Sequence, residues 1–354
     1  AGVLRFLYTE LPKHLGRMPW PSVVAGTSVG ALNGSFVVAR DVQGLEWMCH
    51  TWRTITVPEV FGMSVGDLFR TLRALIAGEP FAFADPRPLQ RMVGRNFPSR
   101  GVRHSVDALG VTWMVGATDL ATGDQVVFVD RRDPPEWPAP PGVRYVHARV
   151  RARHALASGA LPLLFPPITL GGASYIDGGL RQNTPLGPVL RAGARKVLVI
   201  SLKSRAHDEV RQAQPANAVF LLGKLLNALL LDPVEVDLYD ARRMNALIRW
   251  GTEQFGPAFA AGIEQQFGYR EAEIVFHTPS VDLGALAADI YRASPPKVRG
   301  VQGQLLDLAA NQTGPDADLL SYLYFDPAFT GEIEQLGFDD ARRNQETLAR
   351  LVGP

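Results

Sequence analysis

Apolar and polar positions switch repeatedly between helical and extended spacing along the 354 residues. Val3, Leu4, Leu7, Leu11 and Leu15 fall at i, i+1, i+4, i+8 and i+12, a stripe that predicts a first helix. Ser22–Ala25 reads as a short strand, and a helical pattern of small residues follows it. The stretch from about Leu45 to Asn96 is helical and insertion-like. Val111–Ala117 and Gln125–Asp130 read as strands joined by a turn around Ala121-Thr122-Gly123, and Asp133–Gly142 (DPPEWPAPPG) as a Pro-rich surface loop. A helix near Val150–Ser158 precedes the Pro-rich Leu161–Pro167. A short strand at Ala173–Ile176 and a buried one at Lys196–Leu202 come next. From Arg205 onward the pattern is largely helical. Alternation of this kind predicts an α/β fold whose sheet is covered on both faces.

Composition narrows the class. Hydrophobic residues make up 46% and charged residues 20%, the balance of a globular chain long enough for a large core, in one big domain or two. A net charge of +1 argues against a nucleic-acid partner bound by bulk electrostatics. Of 36 basic residues only five are Lys, which leaves 31 Arg. With abundant Ala, Gly and Pro, that bias reflects base composition more than function, though guanidinium groups remain to meet phosphate. The one cysteine, Cys49, excludes an internal disulfide and reads as a small buried hydrophobe. No His, Cys, Asp or Glu cluster has metal-ligand spacing, so neither metal nor cofactor is expected. No run of 18 apolar residues is present, so no membrane span is predicted and a cytoplasmic location is expected.

Candidate chemistry lies at two places. Pro21–Asn33 reads PSVVAGTSVGALN, in which Gly26-Thr27-Ser28-Val29-Gly30 is G-x-S-x-G between a strand and a helix. That is the pattern of a nucleophile elbow. A serine on such a sharp, strained turn needs neighbours without bulky Cβ atoms, which Gly26 and Gly30 supply. The turn also puts the Val29 N–H at a helix N-terminus, where developing negative charge is favoured. An ordinary strand–helix turn can carry the same residues. The second place is Tyr175–Leu186, YIDGGLRQNTPL. Asp177 ends a strand and faces Gly178-Gly179, which lets it reach a neighbouring loop tip. An Asp-Gly hairpin turn is the plainer reading.

Four ordered segments resemble the patatin-like phospholipase family. They are Gly26–Gly30 with Ala31-Leu32-Asn33; Gly116–Gly123 leading into Val126-Val127-Phe128; Ala157-Ser158-Gly159-Ala160-Leu161-Pro162 with Phe165-Pro166-Pro167; and Asp177-Gly178-Gly179 with Asn183 and Pro185. They span about Ala1 to Leu202. The resemblance implies a three-layer α/β/α sandwich with a mainly parallel central sheet in residues 1–204, and a helical C-terminal extension in 205–354. It implies a Ser28–Asp177 dyad that works without histidine, and a phospholipid or lysophospholipid substrate. Gly178, Gly179 and Asn183 would support the Asp177 loop. Such domains begin with a strand and a glycine-rich loop that donates to the oxyanion. Here Ala1-Gly2-Val3-Leu4-Arg5 resembles the segment after that loop, so a glycine-rich segment is expected upstream.

Two rival readings remain at this level. A Ser-His-Asp hydrolase needs a histidine after the acid, and His207 and His277 both follow Asp177. Neither sits in a recognisable catalytic context, and His154 reads as a packed or surface residue. A non-catalytic lipid-binding or scaffolding protein of the same fold is the other. Ala218–Leu231 (AVFLLGKLLNALLL) is apolar nearly all round. It predicts a core helix first, then a peripheral membrane contact or a homodimer contact.

Overall fold

The computed structural model describes residues 1–62, 73, 84–133, 137–162, 164–204, 234–296, 298, 300–312 and 318–353. Its strands are β1 (Val23–Thr27), β2 (Thr112–Asp119), β3 (Gln125–Asp130), β4 (Val143–His147), β5 (Ile168–Leu170), β6 (Ala173–Asp177), β7 (Lys196–Ile200) and β8 (Glu273–His277). The first helices are α1 (Gly2–Thr9), α2 (Leu11–Leu15), α3 (Val29–Ala39) and α4 (Val42–Thr54).

Strand β2 organises the sheet. One edge carries β3 antiparallel, and β4 continues the sheet parallel to β3. The other edge is shared. β1 runs parallel along Thr112–Gly116, and β6 runs antiparallel along Ala117–Asp119, with β5 beyond it. The parallel pair β7–β8 forms a separate two-stranded sheet. The α/β class and the layering are as expected. The sheet itself is mixed rather than mainly parallel, because three of its five strand pairings are antiparallel. The tight β2–β3 and β5–β6 connections account for this, since such short loops can join only antiparallel neighbours.

Every residue of β2 is buried. Successive side chains point to opposite faces of a strand. Accordingly Trp113, Val115 and Ala117 pack with Ala31 and Val38 of α3 and with Val102, Val106 and Ala155. Met114 faces the other way, toward Val127, Val129 and Val189. Helix α3 lies so closely on β1 and β2 that a Cβ on Gly34 would stand 2.7 Å from the Trp113 ring of β2 and 3.3 Å from the Val24 side chain of β1.

The single N-terminal helix of the sequence pattern is two. Its stripe is interrupted at Glu10, and Pro12 sits in the first turn of α2. Proline removes the amide that would continue α1, and its ring collides with the carbonyl four residues back. Strands β4 and β5 are additions to the sequence reading. The helical stretch at Leu45–Asn96 is α4, a short helix Val57–Val60 and a helix Arg87–Asn96, with most of 63–83 outside the described residues. Residues 218–231 also lie outside them.

The C-terminal helices pack directly on the N-terminal ones. Pro327–Arg343 crosses α1 at Gly2, where a Cβ would stand 1.8 Å from the Glu334 carbonyl oxygen. Arg5 makes a two-pronged ion pair with Glu334, at 2.8 and 3.0 Å, and lies 4.0 Å over the Phe338 ring. Glu334 is 2% exposed. Removing one partner leaves a poorly solvated charge. Glu334→Ala should therefore lower stability by about 3 kcal/mol. Chemical denaturation against Arg5→Ala and the double variant checks it, since a coupled pair gives less than the sum of the single losses.

Candidate active site

Two consecutive residues of β2 bring the site together. Gly116 pairs with Thr27, the last residue of β1, and Ala117 pairs with Asp177, the last residue of β6. At that junction one neighbour of β2 hands over to the next, so the tips of two chain segments distant in sequence meet. Ser28 and Asp177 occupy those tips.

Ser28 leaves the ladder with φ 54° and ψ −123°. A side-chain-bearing residue held there stores strain of about 1–3 kcal/mol. Gly26 makes the turn possible, because a Cβ there would lie 2.3 Å from the Gly30 carbonyl oxygen and 2.7 Å from the Ala31 nitrogen. Gly30 differs from the sequence expectation: a Cβ there would meet nothing within 4 Å. The turn passes under Gly26, whereas Gly30 already faces open space on the first turn of α3. Ser28 is the N-cap residue of α3, yet its hydroxyl makes no capping bond. The Val29 N–H has no partner among the described residues. It sits where the aligned peptide dipoles of α3 favour negative charge.

Asp177 is 2% exposed. Burial pushes its carboxyl up to about 6, against the lowering effects of the Gly179 N–H and the Ser28 side chain. The Gly179 N–H donates to its Oδ1 at 2.7 Å. Thr118 Oγ1 donates to its carbonyl at 2.9 Å, and its own N–H donates to the Ala160 carbonyl at 2.9 Å. Gly178 admits no side chain, since a Cβ would stand 2.5 Å from the Gly116 carbonyl oxygen. The backbone of Gly178 and Gly179 shapes this loop. Asn183 caps the short helix Gly179–Gln182 and lines the adjoining cavity, and among the described residues no hydrogen bond joins it to Asp177.

Other titratable groups stay apart. His154 accepts the Arg151 N–H through Nδ1 at 3.1 Å and packs edge-on against Phe128. His277 ends β8, and burial holds its pKa below the ordinary value. Neither histidine is among the groups that act on Asp177. His207 lies outside the described residues. Asp119, in the Gly116–Gly123 motif, turns its carboxylate onto the Ala121 and Thr122 amides and onto Arg144. Its role is to hold that turn. Among the described residues no group of His, Cys, Asp and Glu could hold a metal ion, and no helix is long and apolar enough to cross a membrane.

A cavity of about 1340 Å³ opens beside Ser28 and Asp177. Apolar side chains such as Leu32, Phe61, Leu161 and Phe165 line it. Strands β1 and β7 also border it. Volumes of this size accommodate large apolar ligands.

The sequence pattern singles out Ser28 and Asp177, which the fold brings together, but not the contacts that support them. Thr118 and the Ala160 carbonyl carry no residue-type signal, because their part is defined only by strand register. Ser158, Gly116 and Ser28 were each visible within a motif, but the bonds that join them were not. The full chain matches no curated protein. The family model for patatin-like phospholipase matches residues 1–190, a stretch that contains the elbow, the Asp177 loop and all six strands of the main sheet. The chain therefore belongs to the patatin-like phospholipase family, a family of lipid acyl hydrolases.

Proposed function

We propose that this protein hydrolyses acyl esters of phospholipids or lysophospholipids through a Ser28–Asp177 dyad and an acyl-enzyme. One observation carries the reading: the strained serine spends its hydroxyl on no cap and meets a buried carboxylate that, among the described residues, no histidine acts on. Asp177 takes the Ser28 proton as Oγ attacks the acyl carbonyl. The tetrahedral intermediate collapses, and the protonated Asp177 returns its proton to the leaving alcohol. Water, deprotonated by Asp177, then attacks the acyl-enzyme; the acyl–Oγ bond breaks, Asp177 returns its proton to Ser28 Oγ, and the fatty acid leaves. The Val29 N–H stabilises the oxyanion. The apolar lining suits acyl chains, which ties the substrate to lipids rather than small esters.

A carboxyl titrating at about 6 is largely ionised at neutral pH, as a base must be, while remaining able to donate once protonated. Ester hydrolysis should therefore fall as the pH drops through about 6. A fluorophosphonate probe should label Ser28, as located by peptide mapping, and Ser28→Ala should abolish labelling. His154→Ala and His277→Ala should keep most activity. Loss of about a thousandfold in either histidine variant, with the fold intact, would replace the dyad with a triad. A folded wild-type protein that resists the probe and hydrolyses no ester would leave the scaffolding reading.

A further inference from the structure

Ser158 stands between the two halves of the site without being part of either. It closes the helix Ala152–Ser158 and is 0% exposed. Its hydroxyl donates to the Gly116 carbonyl at 2.5 Å and accepts the Ser28 N–H at 2.8 Å. A hydroxyl has one proton to give, so the Gly116 bond orients its lone pairs toward Ser28. Gly116 is the β2 residue that pairs with Thr27. The hydroxyl thus ties the elbow back to the ladder one residue beyond the point where β1 ends.

The same short segment also touches the acid. The Ser158 carbonyl accepts the Gly178 N–H at 3.2 Å, and the Ala160 carbonyl accepts the Asp177 N–H at 2.9 Å. Gly159 runs between them so near the nucleophile that a Cβ there would lie 3.8 Å from Ser28 Oγ. Residues 158–160 therefore contact the backbone of both reactive residues and set the distance between them.

We propose that Ser158 is a positioning residue for the reaction: its hydroxyl clamps the Ser28 backbone in the strained elbow geometry that aims Oγ at Asp177. This rests on the dyad reading. Without the clamp, the Ser28 N–H and the Gly116 carbonyl lose a buried partner, and the strained φ of Ser28 has less to hold it. Oγ then drifts from the carboxylate. A corollary is that the Ser28 N–H is occupied and leaves the oxyanion to the Val29 N–H and other donors.

The test compares Ser158→Ala, Ser158→Cys and Ser105→Ala with the wild-type chain. Ser105 is equally buried, its hydroxyl has no partner among the described residues, and it does not line the cavity beside Ser28 and Asp177. Wild-type labelling by the fluorophosphonate probe at Ser28 comes first, because its failure ends the dyad reading independently. In folded Ser158→Ala the labelling rate and kcat should fall about ten- to a hundredfold, the effect of a misplacement of about 1 Å. KM should stay near the wild-type value. The acid limb of the pH profile should move upward, because the carboxylate loses the serine contact that lowers its pKa. Ser158→Cys keeps a weak donor and acceptor and should fall between alanine and wild type. Ser105→Ala should match wild type. Unchanged kcat and acid limb in a folded alanine variant, or a loss confined to KM, would overturn the proposal. If the alanine variant does not fold, the cysteine variant decides on the same two readouts: reduced kcat with a raised acid limb upholds the clamp, and wild-type values of both reject it.

Discussion

Asp177→Asn should silence the enzyme and at the same time make it harder to unfold at neutral pH. On the proposed dyad the variant removes the base beside Ser28, and general acid–base groups contribute about a hundred- to ten-thousandfold. We expect a fall of about a thousandfold in kcat/KM. The gain in stability follows from the direction of the pKa shift. Asp177 is raised to about 6 in the folded protein, against an ordinary carboxylate value near 3.9 when unfolded. The folded state therefore holds a proton that the unfolded state has already released. Stability from this group is full below about pH 4 and is lost as the pH rises through about 6. Above that, the ionised carboxylate costs on the order of 3 kcal/mol. Asparagine is nearly isosteric, keeps an oxygen for the Gly179 N–H and never ionises. Melting curves of variant and wild type should nearly coincide at pH 4 and diverge in the variant's favour between pH 4 and 6, with the difference constant above. A variant that melts lower than wild type at pH 7.5 would mean that the carboxylate is a net stabiliser, and the balance of burial against hydrogen bonding drawn here would be wrong.

The two glycines of the elbow should respond in opposite ways. Gly26→Ala puts a methyl group 2.3 Å from a carbonyl oxygen and 2.7 Å from an amide nitrogen. Both are backbone atoms of the α3 start and cannot step aside as a side chain can. Either the helix separates from β1 or the turn opens, and each exposes core that Trp113 and Val24 now fill. Overpacking a tight core costs about 1–3 kcal/mol and occasionally more; the backbone clash puts this variant at or beyond the upper end. Gly30→Ala meets open space on the first turn of a helix, where alanine is preferred over glycine by up to about 1 kcal/mol. That variant should fold at least as well as wild type. Thermal unfolding of the two side by side is decisive. Equal destabilisation would show that both positions are sterically closed.

Much of the candidate site was legible in the sequence. The elbow and the Asp-Gly-Gly loop are each readable because their function requires residue types that bulkier side chains cannot replace. Gly26 and Gly178 confirm this sterically, since each would drive a Cβ into backbone. The main strands were legible too, because β2, β3 and β7 are short apolar runs bounded by turn residues. Arg5–Glu334 and the seating of Pro327–Arg343 on α1 were not legible, since they join positions more than 300 residues apart through complementary shape and charge.

Local sequence by itself determined which residues could react: a serine on a forced turn and an acid at a glycine-flanked strand end. Tertiary structure alone decided that they meet. The reason is the handover on β2, where Gly116 faces β1 and Ala117 faces β6, and strand register has no signature in either segment. It also raised the Asp177 carboxyl toward about 6, because burial is a property of the packed core, and it decided the contacts of Ser158, whose hydroxyl finds its two partners only when helix, strand and elbow converge.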